Sequence, residues 1–120
     1  MNRKFKYVKL SYLKELSEES NDFIAEMINI FIRQVPVYIT NMNKYLKDRN
    51  YEALNREAHT AKSSAMVFNM EETAEILKEI ELTANDNNRN SISALISKAG
   101  NELNLACREL TDYLSEITNS

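Results

Sequence analysis

His59, Lys62 and Ser63 are the side chains whose types and spacing suggest chemistry in this sequence. Residues three and four apart on a helix are neighbours, so the lysine and the serine share a face with the histidine. His59 sits one step past Ala58, about 100° round the helix, at the border between a buried stripe and solvent. A second inference comes from the turn that would follow this helix. With Asn69-Met70 as an antiparallel turn, His59 lies ten residues before Asn69 and Glu81 eleven after Met70. At the helical rise per residue both lie about 15 Å from the turn, so they are level. A carboxylate at a core edge wants a partner, and the imidazole is the natural one. A carboxylate accepting the Nδ1–H fixes the tautomer, leaving the Nε2 lone pair facing outward. It also stabilises the cation formed when Nε2 attacks an electrophile. Lys62 then adds positive charge where a transferred anion would land. This is the pattern of a nucleophilic histidine (His59) with an imidazole orienter (Glu81) and a charge stabiliser (Lys62).

The remaining composition narrows the alternatives. Lys plus Arg total 15 and Asp plus Glu 18, a net charge of −3. Mild acidity removes the electrostatic case for nucleic acid. One Gly and one Pro in 120 residues nearly exclude a turn-rich all-β fold, and Gly100 alone cannot build a phosphate-cradling loop. A single Cys107 excludes an internal disulfide and a Cys-based zinc site, and one histidine excludes a His-rich metal site. Cys107 reads as a small buried hydrophobe. A Ser-His-Asp arrangement survives on counts only, and a hydrolase using His59 as base lacks any pocket motif or oxyanion site. No cofactor is expected.

The elements that must position the site follow from apolar spacing. A short helix is predicted over Ser11 to Leu16, then a polar break in which Ser20 or Asn21 can cap the next helix. That helix, Asp22 to Lys47, carries Ile24, Met27, Phe31, Val35, Tyr38, Met42 and Leu46, with Pro36 expected to kink it without shifting its phase. Asp48-Arg49-Asn50 is a turn with Asn50 as the cap. The third helix shows Leu54, Ala58, Ala61, Ala65 and Phe68 and ends at Asn69. A fourth, from Glu71, carries Met70, Ala74, Leu77, Ile80 and Ala84. Residues Asn85 to Asn90 read as a loop, with Ser91 capping a last helix whose stripe runs from Ile92 to Ile117. Four amphipathic helices with short connections make an all-α, antiparallel up-down four-helix bundle, with the extra N-terminal helix covering one end. The length suits one domain, residues 1–120, burying roughly two-thirds of its unfolded surface. No stretch approaches an apolar membrane span, and the basic start reads as a solvated tail without a signal-peptide core. The expected location is cytoplasmic, either free or as part of something larger.

The run Glu57-Ala58-His59-Thr60-Ala61-Lys62-Ser63-Ser64-Ala65 resembles the phosphorylation motif of histidine-containing phosphotransfer (HPt) domains, Ala-His-x-x-Lys-Gly-Ser/Ala. The resemblance extends to the leading segment Val8 to Leu13, to Phe31 through Leu46 with Pro36, and to Ile80-Glu81, which matches the family's imidazole-holding position. It implies a phosphocarrier rather than an enzyme, with His59 taking a phosphoryl group from a receiver-domain aspartyl phosphate and passing it to another receiver. The receiver would supply Mg²⁺ and most of the catalysis. The implied partners are response-regulator receiver domains and a hybrid sensor histidine kinase, met by a monomer through a docking face that includes Ser63, Ser64 and Met66. Ser63 departs from the pattern, standing where the family most often has the Gly that lets a partner come close. Its hydroxyl could offset that by bonding the phosphoryl group. Asn69 stands where Gly often ends the helix, and Asn is the next-best residue there. The competing reading is a non-catalytic helical module that docks receivers without carrying phosphate.

Overall fold

The computed structural model describes residues 5–18 and 20–118. Among the described residues five α-helices follow one another: α1 (Ser11–Ser17), α2 (Asn21–Lys47), α3 (Tyr51–Val67), α4 (Glu71–Thr83) and α5 (Arg89–Thr118). Helix α3 packs on α2 and α4, and α5 packs on α2 and α4, which closes a four-sided bundle. Short loops force each helix of the bundle to run back along the last. The result is a rod of 51 × 20 × 19 Å, with α1 packed on α2.

Each helix forms where its buried stripe requires it. Ile24, Phe31, Val35, Tyr38, Met42 and Leu46 of α2 are buried as the spacing predicts. Met27 is only half-buried, and Ile28 takes the inner seat. Both positions lie within the apolar arc, and the true period of 3.6 favours Ile28 by the time the stripe reaches the N-terminus. The helix continues through Pro36, which is exposed. Ser20 caps it, its hydroxyl accepting from the Phe23 amide. Among the described residues α2 is the one helix long and apolar enough to meet the bare criteria for crossing a membrane, contrary to the reading from sequence. It nevertheless carries Asp22, Glu26, Arg33, Lys44 and Lys47, and its apolar stripe faces the bundle core.

All five stripe residues, Leu54, Ala58, Ala61 and Ala65 of α3 and Phe68 at its C-cap, are buried. The turn after α3 sets the height of the site. Asn69 adopts the left-handed conformation at φ 55°, the Met70 amide reaches the Ala65 carbonyl (3.0 Å) and the Asn69 amide reaches that of Met66 (3.1 Å). These are the two bonds of a Schellman motif, which Asn closes in place of Gly. Arg49 closes α2 in the same way at φ 56°, and the Asn50 side chain then caps α3 by accepting from Ala53.

Two further expectations are corrected. The asparagine run is not a plain loop. Asp86–Asn88 forms a 3₁₀ turn, built by reciprocal bonds between Asn85 and the Asn87 and Asn88 region, and α5 starts at Arg89 with Ser91 already inside it. Asparagine side chains satisfy local backbone groups and so build the turn they were expected only to punctuate. The basic N-terminal segment is also not a solvated tail from Phe5 onward. Val8 and Leu10 are buried, the Lys9 amide donates to the Phe68 carbonyl, and the Glu109 carboxylate accepts from the Lys6 (2.6 Å) and Tyr7 (2.8 Å) amides. Arg3 and Lys4, which helped define that tail, lie outside the described residues.

Candidate functional site

Helix α3 presents His59 one position beyond buried Ala58, and α4 presents Glu81 one position beyond buried Ile80. Because the Schellman turn fixes the register of the two helices, the side chains meet. His59 Nδ1 lies 2.8 Å from Glu81 Oε2. A carboxylate only accepts, so Nδ1 carries the hydrogen and the lone pair of the neutral ring is on Nε2. The imidazole side chain is 58% exposed, against 21% for Glu81. Nε2 has no hydrogen-bond partner among the described residues.

Lys62 completes the group from one turn along α3. Its Nζ donates to the other carboxylate oxygen, Glu81 Oε1, at 2.9 Å. Its side chain is only 20% exposed, so the alkyl stem lies along the α3–α4 seam. The Lys62 bond, with help from the His59 bond, holds the Glu81 carboxyl below the usual glutamate range despite a partial loss of water. The three side chains therefore form one chain, lysine to carboxylate to imidazole, ending on an outward-facing nitrogen. The set leaves the Nε2 lone pair of the neutral ring free to attack an electrophile, and Glu81 can then stabilise the cationic ring that forms. No group of three or more metal-ligating residues gathers here or elsewhere among the described residues.

The protein-family model described as Hpt domain matches residues 26–120. The chain belongs to the Hpt domain family. In fold, this Hpt domain is similar to the crystal structure of histidine-containing phosphotransfer protein B (HptB) from Pseudomonas aeruginosa PAO1, with a TM-score of 0.78. The two are 16% identical over 94% of this chain and 98% of that one, which speaks for shared architecture. No curated protein matches the chain.

Around its histidine the Hpt domain arranges the other residues singled out from sequence. Ser63 is exposed on the His59 face, and its hydroxyl donates to the His59 carbonyl one turn back (3.2 Å). Met66 lies two turns from His59 on the same face and is 57% exposed. Ser64 differs from that pair. It is half-buried, and its hydroxyl pairs with that of buried Tyr38 on α2 at 2.7 Å. Beside it, Met27, Ile30, Phe31, Gln34, Val67 and Phe68 line a small hollow of about 50 Å³ between α2 and α3.

A second cross-helix bond was missed from sequence. Asn41 Nδ2 donates to Glu57 Oε2 at 3.0 Å, linking α2 to α3 two residues before His59. The signal was available: Asn41 lies seven residues before Asp48 and Glu57 seven after Asn50. The equidistance that paired His59 with Glu81 also pairs these two.

Proposed function

We propose that this Hpt domain is a phosphorelay carrier that accepts a phosphoryl group on Nε2 of His59 from a receiver-domain aspartyl phosphate and delivers it to the aspartate of another receiver. The observation that carries this reading is the division of labour on one ring, with Nδ1 tied to Glu81 and Nε2 unpartnered among the described residues and exposed. In the forward step the Nε2 lone pair forms the N–P bond. The P–O bond to the aspartyl carboxyl breaks, and the carboxylate leaves with the electron pair. The ring keeps its Nδ1 proton and becomes cationic, and Glu81 balances that charge across 2.8 Å. In the return step a receiver carboxylate attacks phosphorus and the N–P electrons return to Nε2. Nothing in this sequence needs a nucleotide site, since the phosphoryl group arrives already activated.

Exposed Ser63 and Met66 follow His59 one and two turns along α3 and suit the face on which a receiver would sit, while Ser64 supports it from beneath through Tyr38. The partners in this reading are response-regulator receiver domains, which supply the Mg²⁺ and most of the catalysis, and a hybrid sensor histidine kinase. The carrier works as a cytoplasmic monomer. Incubation with a phosphorylated receiver should give an acid-labile, alkali-stable adduct, and His59→Gln should abolish it while leaving the helical signal intact. Absence of label after incubation with every phosphorylated receiver of the source organism would remove the carrier role.

A further inference from the structure

Lys62 has a partner that its expected role does not use. A lysine acting directly on the phosphoryl group would extend its ammonium past the histidine toward solvent. Here the side chain is four-fifths covered, and Nζ is 2.9 Å from Glu81 Oε1. The same carboxylate holds His59 through its other oxygen at 2.8 Å. Glu81 is itself largely covered, so moving Lys62 outward would strip a partly desolvated carboxylate of one of its two donors.

We infer that Lys62 is a positioning residue for Glu81, acting on His59 through that carboxylate rather than by touching the transferred phosphoryl group. The ammonium pins Oε1, which fixes the rotation of the carboxylate plane and keeps Oε2 aimed at Nδ1. It also keeps Glu81 ionised as the ring becomes cationic. The direction in which Glu81 is perturbed agrees, because the Lys62 bond is the largest cause of its lowered pKa. This inference rests on the carrier reading for its rate readout. A second readout, on the ring itself, is independent of it.

The experiment is a double-substitution cycle with Lys62→Met and Glu81→Gln, singly and together. Methionine keeps most of the apolar stem that lies along the seam, and glutamine keeps an acceptor for Nδ1 while removing the charge. The first readout is the rate of transfer from a phosphorylated receiver. Lys62→Met should slow transfer about tenfold in the parent domain and change it by less than about twofold when Glu81→Gln is already present. The second readout is the ring ¹⁵N shifts of the single histidine, which measure the tautomer and the Nδ1 hydrogen bond without any receiver. Lys62→Met should move them in the parent and leave them unmoved in the Glu81→Gln background. Equal slowing in both backgrounds, or ring shifts that ignore Lys62→Met, would overturn the inference and return Lys62 to the phosphoryl group. A parent domain that takes no label would remove the carrier reading, and the ring shifts would still decide whether Lys62 acts on Glu81.

Discussion

The single glycine offers a quantitative test of how α2 and α5 pack. Gly100 is buried well inside α5 with φ in the ordinary helical range, so no conformational need requires glycine there. A Cβ added at this position would stand 3.4 Å from Ile39 Cγ1, 3.5 Å from Cδ1 and 3.8 Å from Cγ2. These distances lie at the near edge of van der Waals contact, and the neighbour is a half-buried side chain that can give by a few tenths of an ångström. Replacing Gly by Ala in a helix interior is worth about 0.8–1 kcal/mol. The new methyl fills against Ile39 and adds at most about 0.8 kcal/mol, less a few tenths for the adjustment. Gly100→Ala should therefore stabilise the domain by about 1 kcal/mol, raising the melting temperature by roughly 3–6 °C for a chain of this size. Urea denaturation followed by helical circular dichroism would show the midpoint rising with an unchanged slope. Transfer to His59 should not change, since Gly100 faces α2 and takes no part in the α3–α4 seam. A lower midpoint would mean that α2 and α5 approach too closely at Ile39 for a methyl group, and the packing account of that face would be wrong.

The Glu81 carboxyl gives a signed pH dependence. Its folded pKa lies below the unfolded value, so its contribution to stability is complete above the ordinary glutamate range. That contribution disappears as pH falls through the lowered folded value, and the stability difference between the parent and Glu81→Gln should collapse in that acid window. A difference that instead grew on acidification would contradict the ion pair. Cys107 is half-buried rather than the fully buried hydrophobe its sequence setting suggests, and its thiol should still react slowly, because loss of water pushes its pKa up to about 11 and leaves almost no thiolate at neutral pH. Iodoacetamide should modify it more slowly in the folded domain than in urea at the same pH, and equal rates would refute the raised pKa.

The parts legible in the sequence were those fixed by helical spacing and by one tight turn. Helix α3 was readable because its stripe of Leu54, three alanines and Phe68 leaves no competing face. His59 and Glu81 can be paired from sequence because both helices are regular up to Asn69 and Met70. The partner of Lys62 was not readable in this way. Spacing places a lysine beside a histidine, but the direction of a long flexible side chain depends on which carboxylate the neighbouring helix presents. The exchange of Met27 for Ile28 had a similar origin, since adjacent apolar residues both lie in the arc and packing with other helices chooses between them. In the N-terminal segment the lysines drew attention from an alternation of two, with Val8 and Leu10 inward and Lys9 outward. The hydroxyl of Tyr38 was hidden by its place on an apolar stripe, which gave no hint of the bond to Ser64.

That N-terminal segment has a practical consequence for anyone trimming or fusing the protein. Val8, Leu10 and Leu13 belong to the same apolar core as Phe68 and Met70, beside the turn that levels the histidine with its acid. Cutting the chain at the start of α2 would unroof this end of the bundle and loosen the hinge point on which the whole site is registered. An N-terminal fusion should leave the Lys6 and Tyr7 amides paired with the Glu109 carboxylate.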